Sequence, residues 1–331
     1  MADDLDLRIL HALQYSPRAS FRRIGEVTGV SEQTAARRYQ LLRRDGVVRV
    51  VGLVNPAVHG QAQWVARIRC RPDRVGPLAD SLARRPDIAY ANLASGGSEI
   101  ICIISAPVDA EREDMLLRQL PRSGAVLDVS IDLLIHAFGE PGSAGWTGGA
   151  GRLTPEQIRQ LTGDQPATPA GPLSPPTDED APLLTALAED GRTTHTQLAA
   201  VTGWSKARVA RRLTALEESG VLSYDVDSVP ERLGYHLDAT LWLRTTPAHL
   251  ERIGEELARH DEVAYAGATT GRHNMMAIVI CRDVGDFYRY LTTSLAAVPG
   301  IDAYEVSIRV RRLKQAASLI SRGRLIHPAH A

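Results

Sequence analysis

The chain has 331 residues, which at ~100 to 200 residues per domain predicts two or three domains and excludes a single small fold. It is 44% hydrophobic and 23% charged, so it can bury sizeable cores and is not disordered as a whole. Its net charge is −1, so any nucleic-acid function must come from local clustering of charge rather than from the total.

Cys70, Cys102 and Cys281 are far apart and show no CxxC spacing. That argues against a disulfide framework and a cysteine-built zinc site, and makes a reduced cytoplasm the expected compartment. No apolar run approaches the ~18 residues needed to span a bilayer, and the start MADDLDLRIL is acidic rather than signal-like, so a soluble protein with no membrane partner is expected.

In chain order, Leu5, Ile9, Leu10 and Leu13 lie on one face of a first helix. Ser20 caps a second helix with Ile24 and Val27 inward, ended by the turn Thr28-Gly29-Val30. Ser31 caps a third helix to about Arg44, whose spacing buries Ala35, Tyr39 and Leu42 and leaves Gln33, Thr34 and Arg37 outward with Arg38 at the margin. Residues 18 to 49 hold eight arginines against three acids, a local excess of five positive charges. Helix, tight turn and capped helix with this charge are what a major-groove reading unit requires. Val47 to Val54 then reads as a strand or wing, completing a winged helix-turn-helix over 1–54.

From Gln63 to Cys70 the pattern alternates, placing Val65 and Arg67 on the face opposite Trp64, Ala66 and Ile68. A helix with Val75, Leu78 and Leu82 inward, strands at 88–94 and 99–105, a helix near 110–120 and a strand at 126–135 complete βαββαβ over 55–138. This is a ferredoxin-like module with one sheet face under helices and the other free to pair. Residues 139–177 are dense in Gly and Pro and read as a linker, with one short helix around 155–161 because Thr154-Pro155 has N-cap chemistry. Its cluster GSAGWTGGAG follows no strand and opens no helix, so it is not a phosphate loop.

At residue 178 the pattern restarts. Val27-Thr28-Gly29 matches Val201-Thr202-Gly203 and Arg37-Arg38 matches Arg211-Arg212 at an offset of 174, Ala89-Tyr90-Ala91 matches Ala264-Tyr265-Ala266 at 175, and Val129-Ser130-Ile131 matches Val306-Ser307-Ile308 at 177. A second winged helix-turn-helix is expected over 178–228, with Ser205 capping a helix whose inner face is Val209, Leu213 and Leu216. A second ferredoxin-like domain is expected over 229–314, with Thr240 and Trp242 on the free sheet face, and a tail over 315–331. The predicted fold is therefore α+β, two copies of winged helix-turn-helix plus ferredoxin-like domain, the two copies pairing sheet to sheet within one chain.

The segment TGVSEQTAARRYQLLRRDGVV followed by βαββαβ, with the LGY of Leu233-Gly234-Tyr235, resembles the leucine-responsive (Lrp/AsnC) family of transcription regulators, here in tandem. The resemblance implies a cytoplasmic DNA-binding regulator that self-associates through its ferredoxin-like domains. Its DNA contacts would be Ser31, Gln33, Thr34, Arg37 and Arg38 and, in copy two, Ser205, Lys206, Arg208, Arg211 and Arg212. Arg38 and Arg212, expected nearest the phosphates, are equally consistent with an ion pair that fixes the helix. The family's effector turn, Gly-x-x-Asp, has its matches at Gly96, Gly97, Ser98 and Glu99 and at Gly271, Arg272, His273 and Asn274. Both depart from Asp, so the two turns would differ: Ser98 and Glu99 offer an acidic site, whereas Arg272, His273 and Asn274 suit an amino acid's carboxylate or another anion. The alternative is that both turns are plain loops.

No catalytic or metal-ligating pattern emerges from the scattered histidines, and no cofactor is expected. By a second resemblance, some tetrapyrrole decarboxylases are similar to this family, and Arg272 and His273 would serve such an enzyme. A co-regulator without DNA binding is the third possibility.

Overall fold

The computed structural model describes residues 3–108, 124–139, 146, 152–163, 175–316, 318–321 and 323–326. The helix expected near 110–120, parts of the linker and the last residues lie outside these. In chain order, α1 (Asp4–Tyr15), α2 (Phe21–Thr28), α3 (Glu32–Arg44) and β1 (Val48–Val54) form the first head. The first sheet unit is β2 (Gln61–Cys70), α4 (Val75–Ala83), β3 (Ile88–Ala94), β4 (Glu99–Pro107) and β5 (Val126–Ala137). After α5 (Pro155–Thr162), the second head is α6 (Ala181–Glu189), α7 (His195–Thr202), α8 (Lys206–Glu218) and β6 (Leu222–Ser228). The second sheet unit is β7 (Leu237–Thr245), α9 (Pro247–Ala258), β8 (Val263–Thr269), β9 (Met275–Cys281), α10 (Val284–Tyr290) and β10 (Ile301–Gln315). Strands β11 (Ser318–Ser321) and β12 (Arg324–Ile326) follow.

Ser20, Ser31 and Ser205 cap their helices as expected, and Gly29 (φ 75°) and Gly203 (φ 70°) supply the left-handed residue that ends α2 and α7. The buried residues of α3 are Ala35, Tyr39 and Leu42, and those of α8 are Val209, Leu213 and Leu216, the sets that the helical spacing selects.

The strands expected after the two helical units, as strand or wing, are present and pair with each other. β1 and β6 form an antiparallel ladder from Val48 opposite Ser228 to Val54 opposite Leu222, centred on Val51 opposite Asp225. The offset of 174 maps Val51 onto Asp225, so a pseudo-two-fold axis passes through that pair. The same axis relates Asn55 N–H to Val221 O (2.9 Å) and Val229 N–H to Val47 O (3.0 Å). It also relates two arginines. Arg18 donates to the carbonyls of Gly191 and Thr193, while Arg192 donates to those of Pro17 and Ala19.

Eight strands close into a ring, β10-β3-β4-β2-β5-β8-β9-β7 and back to β10, the two sheet units joining at β5–β8 and β10–β3. Helices α4, α9 and α10 cover the outside, and Val65, Ile101, Trp242 and Met276 fill the inside, so the face left free in each sheet is buried against the other copy. Strand register corrects one equivalence. Arg67 opposite Ser130 and Trp242 opposite Glu305 align β5 with β10 at 175, two residues away from the alignment that the shared Val-Ser-Ile triplet suggests.

Two other expectations are corrected. The linker is not wholly outside the cores: Trp146, Leu153 and Leu161 are buried in the first head, Gln157 donates to Val27 O (2.7 Å), and Arg152 pairs with Asp261 (2.6 Å). The tail is not free either, because β11 pairs with β10, and Leu325 N–H donates to Gly46 O (2.9 Å) at the end of α3. Among the described residues no helix is long and apolar enough to cross a membrane.

Candidate DNA-reading helices and effector-domain site

On α3, Gln33 and Arg37 are exposed and Thr34 is half-buried, its Oγ1 3.0 Å from Ser31 Oγ. Arg37 has no hydrogen bond or ion pair among the described residues, whereas the other seven arginines of that stretch all have partners. Arg18 holds the second head, Arg22 pairs with Glu26, Arg23 donates to Gln160 O, and Arg43 pairs with Asp190. Arg44 pairs with Asp45 and Arg49 donates to Glu189 O. The positive excess read from sequence is thus largely committed inside the molecule, although the exposed pairs are weak enough to exchange for phosphates.

Arg38 lies 2.8 Å from Asp3 and 3.4 Å from Asp6, which are on α1 or at its cap, so it ties the reading helix to the first helix. Copy two repeats this at the same spacing, with Arg212 gripping Asp180 through Nε (2.7 Å) and Nη2 (2.6 Å). The two acids differ. The Arg212 hydrogen bonds hold Asp180 below the usual carboxylate range, while burial, with the nearby Asp3, raises Asp6. Repetition of an aspartate 32 residues before each of these arginines was the available signal for the pair. Arg208 pairs with Glu179 and stacks 4.1 Å from the Trp204 ring. Lys206 and Arg211 are exposed and unpartnered among the described residues, so Arg37 and Arg211, equivalent positions of the repeat, are the matched free cations of the two reading helices.

The first effector turn carries left-handed Gly96 (φ 67°) and Gly97 (φ 87°), and Ser98 Oγ donates back to Ser95 O (2.7 Å). Glu99 is 2% exposed and accepts from Arg67 Nε (2.7 Å), Ser95 Oγ (2.8 Å) and Ser307 Oγ (2.7 Å). The acidic site expected there is occupied by the protein's own donors. Trp242 Nε1 donates to Ser307 Oγ (3.0 Å), and the Arg67 guanidinium lies 4.3 Å from the Trp242 ring centroid while also donating to Glu305 (2.7 Å). Ser307, Glu305 and Trp242 belong to the other copy, so the network crosses the seam between sheet units.

At the second turn, the Asn274 amide is consumed by the Thr245 backbone, accepting from its N–H (3.0 Å) and donating to its O (2.8 Å). Gly271 (φ 91°) has the left-handed backbone that favours glycine, and the Asp132 carboxylate occupies the space a Cβ would take. Arg272 is exposed, and His273 Nε2 stands 3.9 Å from Glu305. Burial lowers the His273 pKa, opposed by Glu305. Arg67, Trp242, Ser307 and Glu305 were not singled out as site residues by sequence, because the seam that joins them is formed by strands far apart in the chain. No group of three or more His, Cys, Asp or Glu able to hold a metal occurs among the described residues.

Paired helix-turn-helix heads on a closed pair of ferredoxin-like sheets define the class: a tandem protein built from the domains of a DNA-binding regulator. Residues 3–43 match the AsnC-type helix-turn-helix domain, 183–223 a winged helix-turn-helix DNA-binding domain, and 238–319 the Lrp/AsnC ligand binding domain. The chain therefore carries helix-turn-helix and ligand-binding domains of Lrp/AsnC type, on a fold that repeats the pair. It is 29% identical over 138 residues to the transcriptional regulator LrpA of Pyrococcus abyssi, a match covering 41% of this chain and 98% of that one. It is 23% identical over 141 residues to the regulator Ptr1 of Methanocaldococcus jannaschii, covering 42% and 95%. These relatives are single-copy in length. The siroheme decarboxylase NirDL shares the whole arrangement, with a TM-score of 0.62 over 97% of this chain and 96% of that one at 14% identity, a likeness of fold.

Proposed function

We propose that the protein is a transcription regulator that binds duplex DNA through α3 and α8 and responds to a small metabolite, an amino acid or another anion, held by its ferredoxin-like domains. The observation that carries this reading is the pseudo-two-fold pairing of the heads, which presents two serine-capped helices with Arg37 and Arg211 at matched, exposed, unpartnered positions. Gln33, Thr34, Arg37, Arg208 and Arg211 face base edges, Ser31, Ser205 and Lys206 sit at the helix starts, and Arg38 and Arg212 set the helices' attitude from behind. Because SEQTAARRYQLL and SKARVARRLTAL differ, the two half-sites differ, and the operator is not a perfect palindrome.

The test is affinity for duplexes selected from a random pool, measured against salt. Log K should fall linearly with log salt, and Arg37→Ala and Arg211→Ala should each cost about 1 to 3 kcal/mol on one half-site and relax its sequence preference. Salt-independent binding, or recovery of perfect palindromes alone, contradicts the reading.

A second reading, an enzyme acting on a tetrapyrrole, draws on the whole-chain likeness to NirDL and on the arginines around His273. Incubation with siroheme separates the two: the enzyme reading requires loss of carboxylate mass, the regulator reading none.

A further inference from the structure

We propose that the mouth of the slot between the two sheets, at the ends of β2 and β7, is a basin for a small organic polyanion bearing two or more carboxylate or phosphate groups, with the Glu305 carboxylate as its resident occupant. This goes beyond the effector turns, and it rests on the reading of these domains as ligand-binding but not on DNA binding.

The register places the basin. Arg67 on β2 and Trp242 on β7 are equivalent at an offset of 175, and two residues further along the same faces Arg69 and Arg244 are again equivalent and exposed. The second turn adds Arg272 and His273 from beside them. Glu305, opposite Trp242 on β10, answers two of these arginines with one carboxylate, Arg67 at 2.7 Å and Arg69 at 3.9 Å, and lies 3.9 Å from the His273 ring. Its side chain is 40% exposed, so water and a competing anion can reach it. Arg244 and Arg272 have no hydrogen bond or ion pair among the described residues, and Arg69 has only the long contact to Glu305. Of the other acids on these inner faces, Glu99 is buried and satisfied by three donors, Asp132 sits over Gly271 near Arg67 and His273, and Asp128 is exposed opposite Arg69 without a close ion pair, so what the basin offers an anion is the two unpaired guanidiniums of Arg244 and Arg272 rather than a net positive charge.

Charge number follows from this arrangement. A single carboxylate that displaced Glu305 would only replace like with like, since guanidinium forks bind either one. Net binding requires further anionic groups that reach Arg244 and Arg272, which selects compounds with two or more such groups over monocarboxylates.

The experiment is thermal shift and calorimetry on the full chain with citrate, pyrophosphate and acetate, at ionic strength fixed with chloride. Citrate or pyrophosphate should raise Tm saturably and acetate should not. Glu305→Gln, which empties the basin of its own charge, should tighten binding at least tenfold. The double variant Arg69→Ala/Arg244→Ala, at two exposed positions, should keep its unliganded Tm and lose binding at least tenfold. Saturable binding by citrate alone or pyrophosphate alone supports the basin and tells carboxylate from phosphate. The proposal is overturned if neither binds Glu305→Gln, if acetate matches them, or if the double variant binds as wild type does. DNA affinity of the same samples reports separately on the regulator reading.

Discussion

Arg67 and Trp242 occupy equivalent positions of the two copies and stack on each other across the seam, 4.3 Å from guanidinium to ring centroid. In a homodimer of either copy this position would meet itself, setting Arg against Arg or Trp against Trp. The duplicated chain has a cation over an aromatic face instead, so its halves are complementary rather than merely alike. Arg67 is also the charged partner of Glu99, a carboxylate only 2% exposed. Arg67→Ala should therefore cost about 3 to 5 kcal/mol, more than a cation–π contact alone, because it leaves a buried charge with hydroxyls only. Arg67→Lys should recover part of this, keeping the charge without the fork. Denaturant unfolding measures both, and a loss under about 1 kcal/mol for Arg67→Ala would show that the seam does not depend on the pair.

The clasp of Arg18 and Arg192 makes a prediction about coupling. Each guanidinium donates to two carbonyls of the opposite head, and hydrogen bonds to a charged group contribute about 1.5 to 3 kcal/mol. Once one clasp is broken the heads can shift and slacken the other. The double variant Arg18→Ala/Arg192→Ala should thus cost less than the sum of the single changes, with a coupling of about 0.5 to 3 kcal/mol. Strict additivity in a double-mutant cycle would mean that the two act independently.

Acid should loosen the linker from the first head in a defined window. His11 Nδ1 accepts from Leu153 N–H (2.7 Å), which requires the neutral ring, and burial, helped by Arg152, lowers its pKa from 6.5 to about 4. A depressed folded pKa means that the unfolded chain binds the proton first. The stability tied to neutral His11 is therefore complete above pH ~6.5 and is lost between there and ~4, to a limit of about 3 kcal/mol. His11→Asn, whose Oδ1 can accept the same N–H, should flatten the Tm profile over that window while Asp180, held down by Arg212, keeps its own loss below it. An unchanged profile would place the acid sensitivity elsewhere.

What could be read from sequence was what depends on neighbours a few residues away. Helical spacing selects the inner faces of α3 and α8 residue for residue, and the serine caps and glycine turns follow from local hydrogen bonding and allowed φ. The β1–β6 ladder, the closing of the ring at β5–β8 and the docking of β11 and β12 join residues as far apart as Arg49 and Ser318, and no local pattern encodes them. Trp146, Leu153 and Leu161 looked like linker residues because a few apolar side chains among Gly and Pro cannot form a core alone, yet they complete one already present. Of the candidate effector residues, Glu99 takes one of its three donors, Ser307, from the other copy, and Gly271 lies against the other copy's Asp132, contacts that no local pattern encodes.

Tyr90 and Tyr265 are equivalents of the repeat with different fates, and the last prediction compares them. Tyr90 OH donates to Asp225 Oδ2 (2.8 Å), and burial raises the pKa of that carboxyl. The equivalent of Asp225 is Val51, which offers no acceptor, and the buried Tyr265 hydroxyl has no hydrogen-bond partner among the described residues. Removing a hydroxyl that serves a buried acid exposes the full cost of that acid's desolvation, whereas removing an unsatisfied one relieves a cost already present. Tyr90→Phe should lower stability by about 1 to 3 kcal/mol, and Tyr265→Phe should be neutral or raise it by up to about 1 kcal/mol. Equal losses from the two substitutions in chemical unfolding would show that Tyr265 OH is satisfied in solution and that the two copies are more alike at this seam than the Val51–Asp225 pair implies.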